Sequence, residues 1–170
     1  MILLHLGDSV DGLPIVARID ATRYVAYVLA AELGYDNAPV EALKAQCVAI
    51  LSYALNINRS RPLKITQQDQ VYDVRKEPSE RHNRIAQEMA GIVGTNRYGD
   101  IGQPARMQYH ASCGGHTDQS GHVCKAVACP CGFKRNGHGW GMCQRGALRL
   151  ARDGWGWREI VEHYYDVGGL

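Results

Sequence analysis

The chain has 170 residues, of which 45% are hydrophobic and 21% charged, and a formal net charge of +2. That composition suits a soluble globular fold with a real core, and the length suggests one domain spanning 1–170. The weak charge, with Lys and Arg scattered along the chain, argues against a nucleic-acid partner.

The opening "MILLHLGDSVDG" is too short and too soon acidic to read as a signal peptide. The expectation is an intracellular chain, or one from which a leader has been removed. No apolar run approaches the roughly 18 residues of a membrane span. "ILLHLG" and "LPIVARI" read as short strands around the turn "DSVDG". Thr22 is the candidate cap of a first helix that runs to about Leu33 and is broken by "GYDN". Pro39 suits the first turn of a second helix, with Val40, Leu43, Cys47, Ile50 or Leu51, and Ala54 on one face. "RSRPLKITQQDQVYD" reads as loop and extended chain. Ser79 caps a third helix with the stripe Ile85, Met89, Ile92 and Val93, which Gly94 ends. "ARMQYHAS" reads as a strand. From Cys113 to Trp140 periodicity fails among Gly, His and Cys, so ligands rather than a hydrophobic face are expected to hold this region. "MCQRGALRLARDG" and "GWREIVEHYYD" give two closing helices. The expected fold is α+β, with helices packed on short antiparallel strands and a Gly/His/Cys-rich metal-binding loop region.

Chemistry enters at "YVAYVLAAELG". Val25, Val28 and Glu32 fall at i, i+3 and i+7, beside Leu29 and Leu33, so a glutamate lies on the core stripe. Either the helix frays and the carboxylate reaches solvent, or the group is partly desolvated with a raised pKa and can donate a proton near neutral pH. In the second helix Lys44 and Gln46 read most simply as solvent-facing. Five of the six cysteines crowd into the last third, near His110, His116, His122 and His138. A chain with long helical patterns has no need of disulfide staples, so the cluster favours a metal over a disulfide framework. His110 and His116 flank a Gly-Gly turn, and "GHVC" adds His122 and Cys124, residue types that zinc takes in fours. In "CKAVACPCG" the Cys-Pro-Cys spacing is not the common Cys-x-x-Cys knuckle. It leaves Cys129 and Cys131 as ligands, a disulfide pair or reduced thiols. In "GHGWGMCQRGA" glycines surround His138 and open a helix start, an arrangement that favours a site over a Gly-rich turn packed by Trp140.

Taken in order, "YVAYVLAAEL", "APVEALKAQCVAILSYAL", "DQVYD", "HASCGGHT" and "GHGWGMCQRGALRLARDGWGWREIVEHYYDVGGL" resemble the stage II sporulation protein D family (the SpoIID/LytB domain) over nearly the whole chain. The resemblance implies a peptidoglycan lytic transglycosylase that cuts peptide-free glycan strands and leaves 1,6-anhydro-muramic acid ends. It implies Glu32 as general acid and then base. Lys44, Gln46, His138 and Gln144 would be cleft residues that position sugar or tune Glu32, with Tyr109 and Tyr53 weaker candidates for sugar contact whose alternative is core packing with the hydroxyl at the edge. It implies zinc held by His110 and His116, then His122 and Cys124, with Cys129 and Cys131 competing, in a structural rather than catalytic role. It also implies a cell-wall-facing, extracytoplasmic location, glycan strands as partner and, for relatives that act as enhancers, a wall amidase. Two features depart from the family. Ile50-Leu51-Ser52 stands where the family has Ala-Arg-Thr, and the segment between "GGHT" and "GHG" is short. The first keeps a non-catalytic enhancer of a peptidoglycan amidase as the alternative. A metal- or disulfide-stabilised structural domain is the third reading.

Overall fold

A computed structural model describes residues 1–10, 13–34 and 37–170. Asp11 and Gly12 of the expected turn "DSVDG", and Tyr35 and Asp36 of the break "GYDN", lie outside the described residues. The fold is α+β. Strands β1 (Leu3–Val10) and β2 (Leu13–Asp20) form an antiparallel hairpin that leads directly into α1 (Ala21–Leu33). Helices α2 (Val40–Asn58) and α3 (Glu80–Glu88) follow. Two-residue strands then alternate with loop: β3 (Thr95–Asn96), β4 (Tyr109–His110) and β5 (Met142–Cys143). Helices α4 (Gln144–Arg152) and α5 (Trp157–Tyr164) and strand β6 (Val167–Gly168) complete the order.

The core is organised around α2, which packs against all four other helices and β1. Its buried face carries Ala42, Ala45, Ala49 and Ala54, small side chains that let neighbouring helices approach closely, with Leu43, Val48 and Ile50 filling the spaces between. By length and composition α2 alone among the described helices would suffice to cross a membrane, but most of it is buried inside the protein. Glu41, Lys44 and Gln46 interrupt its apolar run, so no continuous apolar stretch of span length is visible in the sequence.

Several expected boundaries move. Asp20, not Thr22, caps α1: its Oδ1 accepts the Arg23 N–H at 3.1 Å. Ser79 does cap α3, but that helix ends at Glu88, and Ile92 and Val93 lie beyond it. "ARMQYHAS" narrows to the two residues of β4, which pair with β5 in parallel, whereas β1–β2 and β3–β6 are antiparallel. The parallel pair follows from topology. The whole Cys113–Trp140 loop intervenes between β4 and β5 and brings the chain back in the same direction. Within that loop regular structure is limited to isolated bridges such as Ser112 with Asn136 and His116 with Ala128.

Candidate functional site

Glu32 sits in the last turn of α1. Val25, Val28, Leu29 and Leu33 take the helix into the core, and Glu32, half-buried, opens instead onto a cleft of about 410 Å³. The other walls are the loop 67–71, the segment around β4 and the turn 136–138. Burial pushes the Glu32 carboxyl above the ordinary carboxylate range. It outweighs the Gln144 amide, the Val71 N–H and the Lys76 charge, which all favour the ionised form. The C-terminal end of a helix dipole adds to the same upward push. Gln144 Nε2 donates to Glu32 Oε2 at 3.2 Å across 112 residues of sequence.

A second carboxylate lines the cleft, in a different electrostatic state. Asp69 accepts two hydrogen bonds from Arg61, at 2.6 and 2.7 Å, one from the Lys64 N–H at 2.8 Å and one from the Tyr53 hydroxyl at 3.1 Å. Although burial opposes it, the Arg61 guanidinium and these donors hold the Asp69 carboxyl below its usual range. The cleft therefore contains one carboxyl that holds its proton more tightly than usual and one that holds its proton less tightly and is engaged by Arg61, Lys64 and Tyr53. Arg106 brings a cation to the same cleft, its guanidinium 5.9 Å from the centre of the Tyr53 ring.

Tyr109, His110 and His138 supply the opposite wall. The Tyr109 hydroxyl is buried, and burial together with the Glu32 charge drives its pKa well up, so it is a neutral donor. His110 Nδ1 lies 3.1 Å from the Trp140 carbonyl oxygen. Burial lowers the His110 pKa to about 4, so the ring is neutral at pH 7, with its proton on Nδ1 towards that carbonyl. His138 stacks on Trp140 and faces His110, with ring centroids 5.1 and 5.4 Å apart.

The remaining expected cleft residues divide. Gln144 reaches Glu32 itself. Gln46 is not solvent-facing: it is fully buried, and among the described residues neither of its amide atoms has a hydrogen-bond partner. It lies one and two turns before Ile50 and Tyr53 on the same helix face, the face whose Ile50 carbonyl accepts from Gln70. Lys44 lies elsewhere, pinned between α2 and α3 by Glu88 at 2.5 Å and Glu41 at 3.6 Å. Leu51 is buried against a different groove, between the start of α1 and the end of α3.

The expected metal ligands are the residues that the structure separates most. Four buried thiols, Cys113, Cys129, Cys131 and Cys143, place their sulfurs within 4.8 Å of one another and could hold a metal ion. His110, His116, His122 and Cys124 do not join such a group. His110 belongs to the cleft, His116 is exposed beside Arg135, and His122 is exposed against Tyr98, with ring centroids 5.8 Å apart. Cys124 is buried in its own bridge to Ser120 and Tyr165. None of the six cysteines is in a disulfide. The competing pair Cys129 and Cys131 is in the group. The signal for its two partners was the Gly-Gly turn after Cys113 and the helix start after Cys143, features read from sequence as marks of a site without their cysteines being named as ligands.

Local structure explains why these four meet. The Cys129 N–H donates to the Gly115 carbonyl at 2.9 Å, and Ser112 and Asn136 exchange two backbone hydrogen bonds, so the loop folds back onto the turn that carries Cys113. Arg135 ties the same turn through the Cys113 and His116 carbonyls and Asp118. Cys143 caps α4, its sulfur accepting the Gly146 N–H at 3.3 Å. Residue 146 has to be glycine because a Cβ there would collide with the Cys129 sulfur and the Tyr164 hydroxyl. Hydrogen bonds from Cys143 and from Tyr164, the latter 3.1 Å away, draw the Cys129 thiol down against its burial, while the same Cys143–Cys129 contact and burial push Cys143 up. Within the centre the proton is thus held less tightly on Cys129 than on Cys143, and the thiolate is the form that binds metal.

The model of the SpoIID family, described as Stage II sporulation protein, matches residues 9–96. No curated protein matches the chain. The matched stretch is 88 of the 170 residues and contains the end of β1, all of β2, α1 with Glu32, all of α2 and the Asp69 loop. The helix that presents the raised carboxyl and the Asp69 side of the cleft thus lie within the matched region, while the wall of Tyr109, His110 and His138 lies beyond it; the chain belongs to the SpoIID family, which ties it to sporulation and to peptidoglycan of the cell wall.

Proposed function

We propose that the protein is a lytic transglycosylase of peptide-free peptidoglycan strands, with Glu32 as its catalytic acid and base. The observation that carries this reading is the state of Glu32, a half-buried carboxyl with a raised pKa that opens onto a cleft. Protonated Glu32 gives its proton to the glycosidic oxygen, and the bond from that oxygen to the muramyl anomeric carbon breaks. The carboxylate then takes the proton of the same sugar's 6-hydroxyl as the 6-oxygen bonds to the anomeric carbon. One proton is given and one returned, and no water is consumed.

Most glycosidases need a second carboxylate as nucleophile or base. Here the other cleft carboxylate, Asp69, already accepts from Arg61, Lys64 and Tyr53, which favours a reaction whose nucleophile comes from the substrate. Tyr109, Arg106 and His138 line the cleft and are assigned to holding sugar hydroxyl and acetamido groups. Leu51 faces away from the cleft, so the missing family arginine removes no cleft cation, and Arg106 supplies one. The metal of the four-thiol centre is assigned as zinc, which suits a closed tetrahedral set of four sulfurs and supplies structural cross-linking there. The site of action is the extracytoplasmic cell wall.

The test is digestion of peptide-free glycan strands followed by mass spectrometry. The native protein should release fragments with anhydro-muramic ends. Glu32→Gln should lower the rate by about 10²- to 10⁴-fold, the usual worth of a positioned general acid. A native protein that binds strands and releases nothing would overturn the reading in favour of a non-catalytic enhancer of a wall amidase.

A further inference from the structure

We propose that the four-cysteine centre acts as a positioning device for the catalytic acid: an ion held by Cys113, Cys129, Cys131 and Cys143 fixes the start of α4 and so holds Gln144 against Glu32. The inference rests on the reading of Glu32 as the acid.

Two of the ligands adjoin the cleft through the backbone. Cys143 is followed directly by Gln144, whose amide lies 3.2 Å from Glu32 Oε2. Cys113 comes three residues after His110, which lines the cleft wall opposite Glu32. One ion bonded to both sulfurs therefore ties the His110 wall to the α4 start. The other two ligands come from the Cys-Pro-Cys loop, which is joined to the rest of the protein mainly by backbone bridges.

The β4–β5 pairing and the packing of α4 on α2 hold the helix as a body, and the centre adds the constraint at its first turn. Helix α4 has nine residues, too few to be stable on its own, and its first turn is capped by the Cys143 sulfur rather than by an oxygen. Gly146 packs with no spare room against the Cys129 sulfur and Tyr164, so a shift of the centre moves the helix backbone itself. Glutamine has three rotatable side-chain bonds, and it can present its amide to Glu32 reproducibly only from a fixed backbone. The centre is separate from the chemistry: the donors that meet the Glu32 carboxyl are Gln144 and the Val71 N–H, not a thiol.

The test uses the full chain, reduced and zinc-loaded, with three readouts: bound zinc, the titration midpoint of the Glu32 carboxyl by ¹³C NMR, and the pH profile of strand cleavage. The native protein should bind zinc. The Cys113→Ser/Cys131→Ser double variant should lose it. Its Glu32 midpoint should rise by about one pH unit, because the amide donor that favours the carboxylate is no longer held in place. Gln144→Leu should keep zinc and show the same rise, and combining it with the double variant should add nothing further. Zinc loss with an unmoved Glu32 midpoint overturns the inference, as does an unmoved midpoint in Gln144→Leu or a native protein that binds no zinc. If the double variant does not fold, chelation of the native protein must raise the midpoint and added zinc must restore it. Midpoints that shift as expected while no form cleaves strands support the positioning role and sink the transglycosylase reading, so the two failures are distinct.

Discussion

At the scale of single residues, the cleft is a set of ionisable groups driven apart by their surroundings. Burial raises Glu32, while Arg61 and backbone donors keep Asp69 low, and a few ångströms of protein thereby give two carboxyls opposite protonation preferences. His110 shows the converse. Its folded pKa, near 4, lies below the ordinary value of 6.5, so the unfolded chain binds the proton more tightly. Its contribution to stability is complete above about pH 6.5 and is lost as pH falls towards 4. Urea unfolding of the native protein should therefore lose as much as about 3 kcal/mol across that window. His110→Phe should flatten this part of the profile. An equally steep fall in the variant would place the acid sensitivity on other groups.

Elements are delimited by caps more than by periodicity. Val25, Val28, Leu29 and Leu33 were legible as the inward stripe of α1, and all four are buried. The cap was misplaced by two residues, since Asp20 closes a strand and starts a helix at once and its oxygen reaches the Arg23 N–H. Asp20→Ala should cost about 1 kcal/mol, a typical loss for an N-cap oxygen. For a chain of this size that is a drop of about 2–4 °C in Tm. Thr22→Ala should leave Tm nearly unchanged, and a thermal melt of the two variants separates the assignments. Helix α4 has the least expected cap, a cysteine sulfur, and here the element boundary and the thiol centre coincide.

For the whole molecule, α2 and its four helical neighbours form a core by burial of apolar surface, whereas the stretch from Cys113 to Trp140 contributes few large apolar side chains to it. That loop depends on Arg135, on backbone bridges and on the four thiols. Chelation under reducing conditions should therefore act unevenly. Amides of the loop and of the first turn of α4 should exchange with solvent tenfold or more faster, while those of α1 and α2 keep their protection. Hydrogen-exchange mass spectrometry reads this directly, and uniform acceleration across the chain would mean that the centre and the core unfold as one unit.

The sequence by itself determined the α+β class, the helices, the family and the presence of a carboxyl on the core face of α1. Each is written locally, as period, cap or motif, and local patterns survive without knowledge of neighbours. Tertiary structure decided which cysteines and histidines meet. Cys113 and Cys143 are 30 residues apart and lie on either side of a loop without periodicity, so only folding of that loop brings their sulfurs within 4.8 Å and leaves His116 and His122 outside. It also decided that Lys44 pairs with Glu88 while Gln144 reaches Glu32. Those partners come from different elements, and a contact between elements depends on how their faces pack, which no single stretch of sequence encodes.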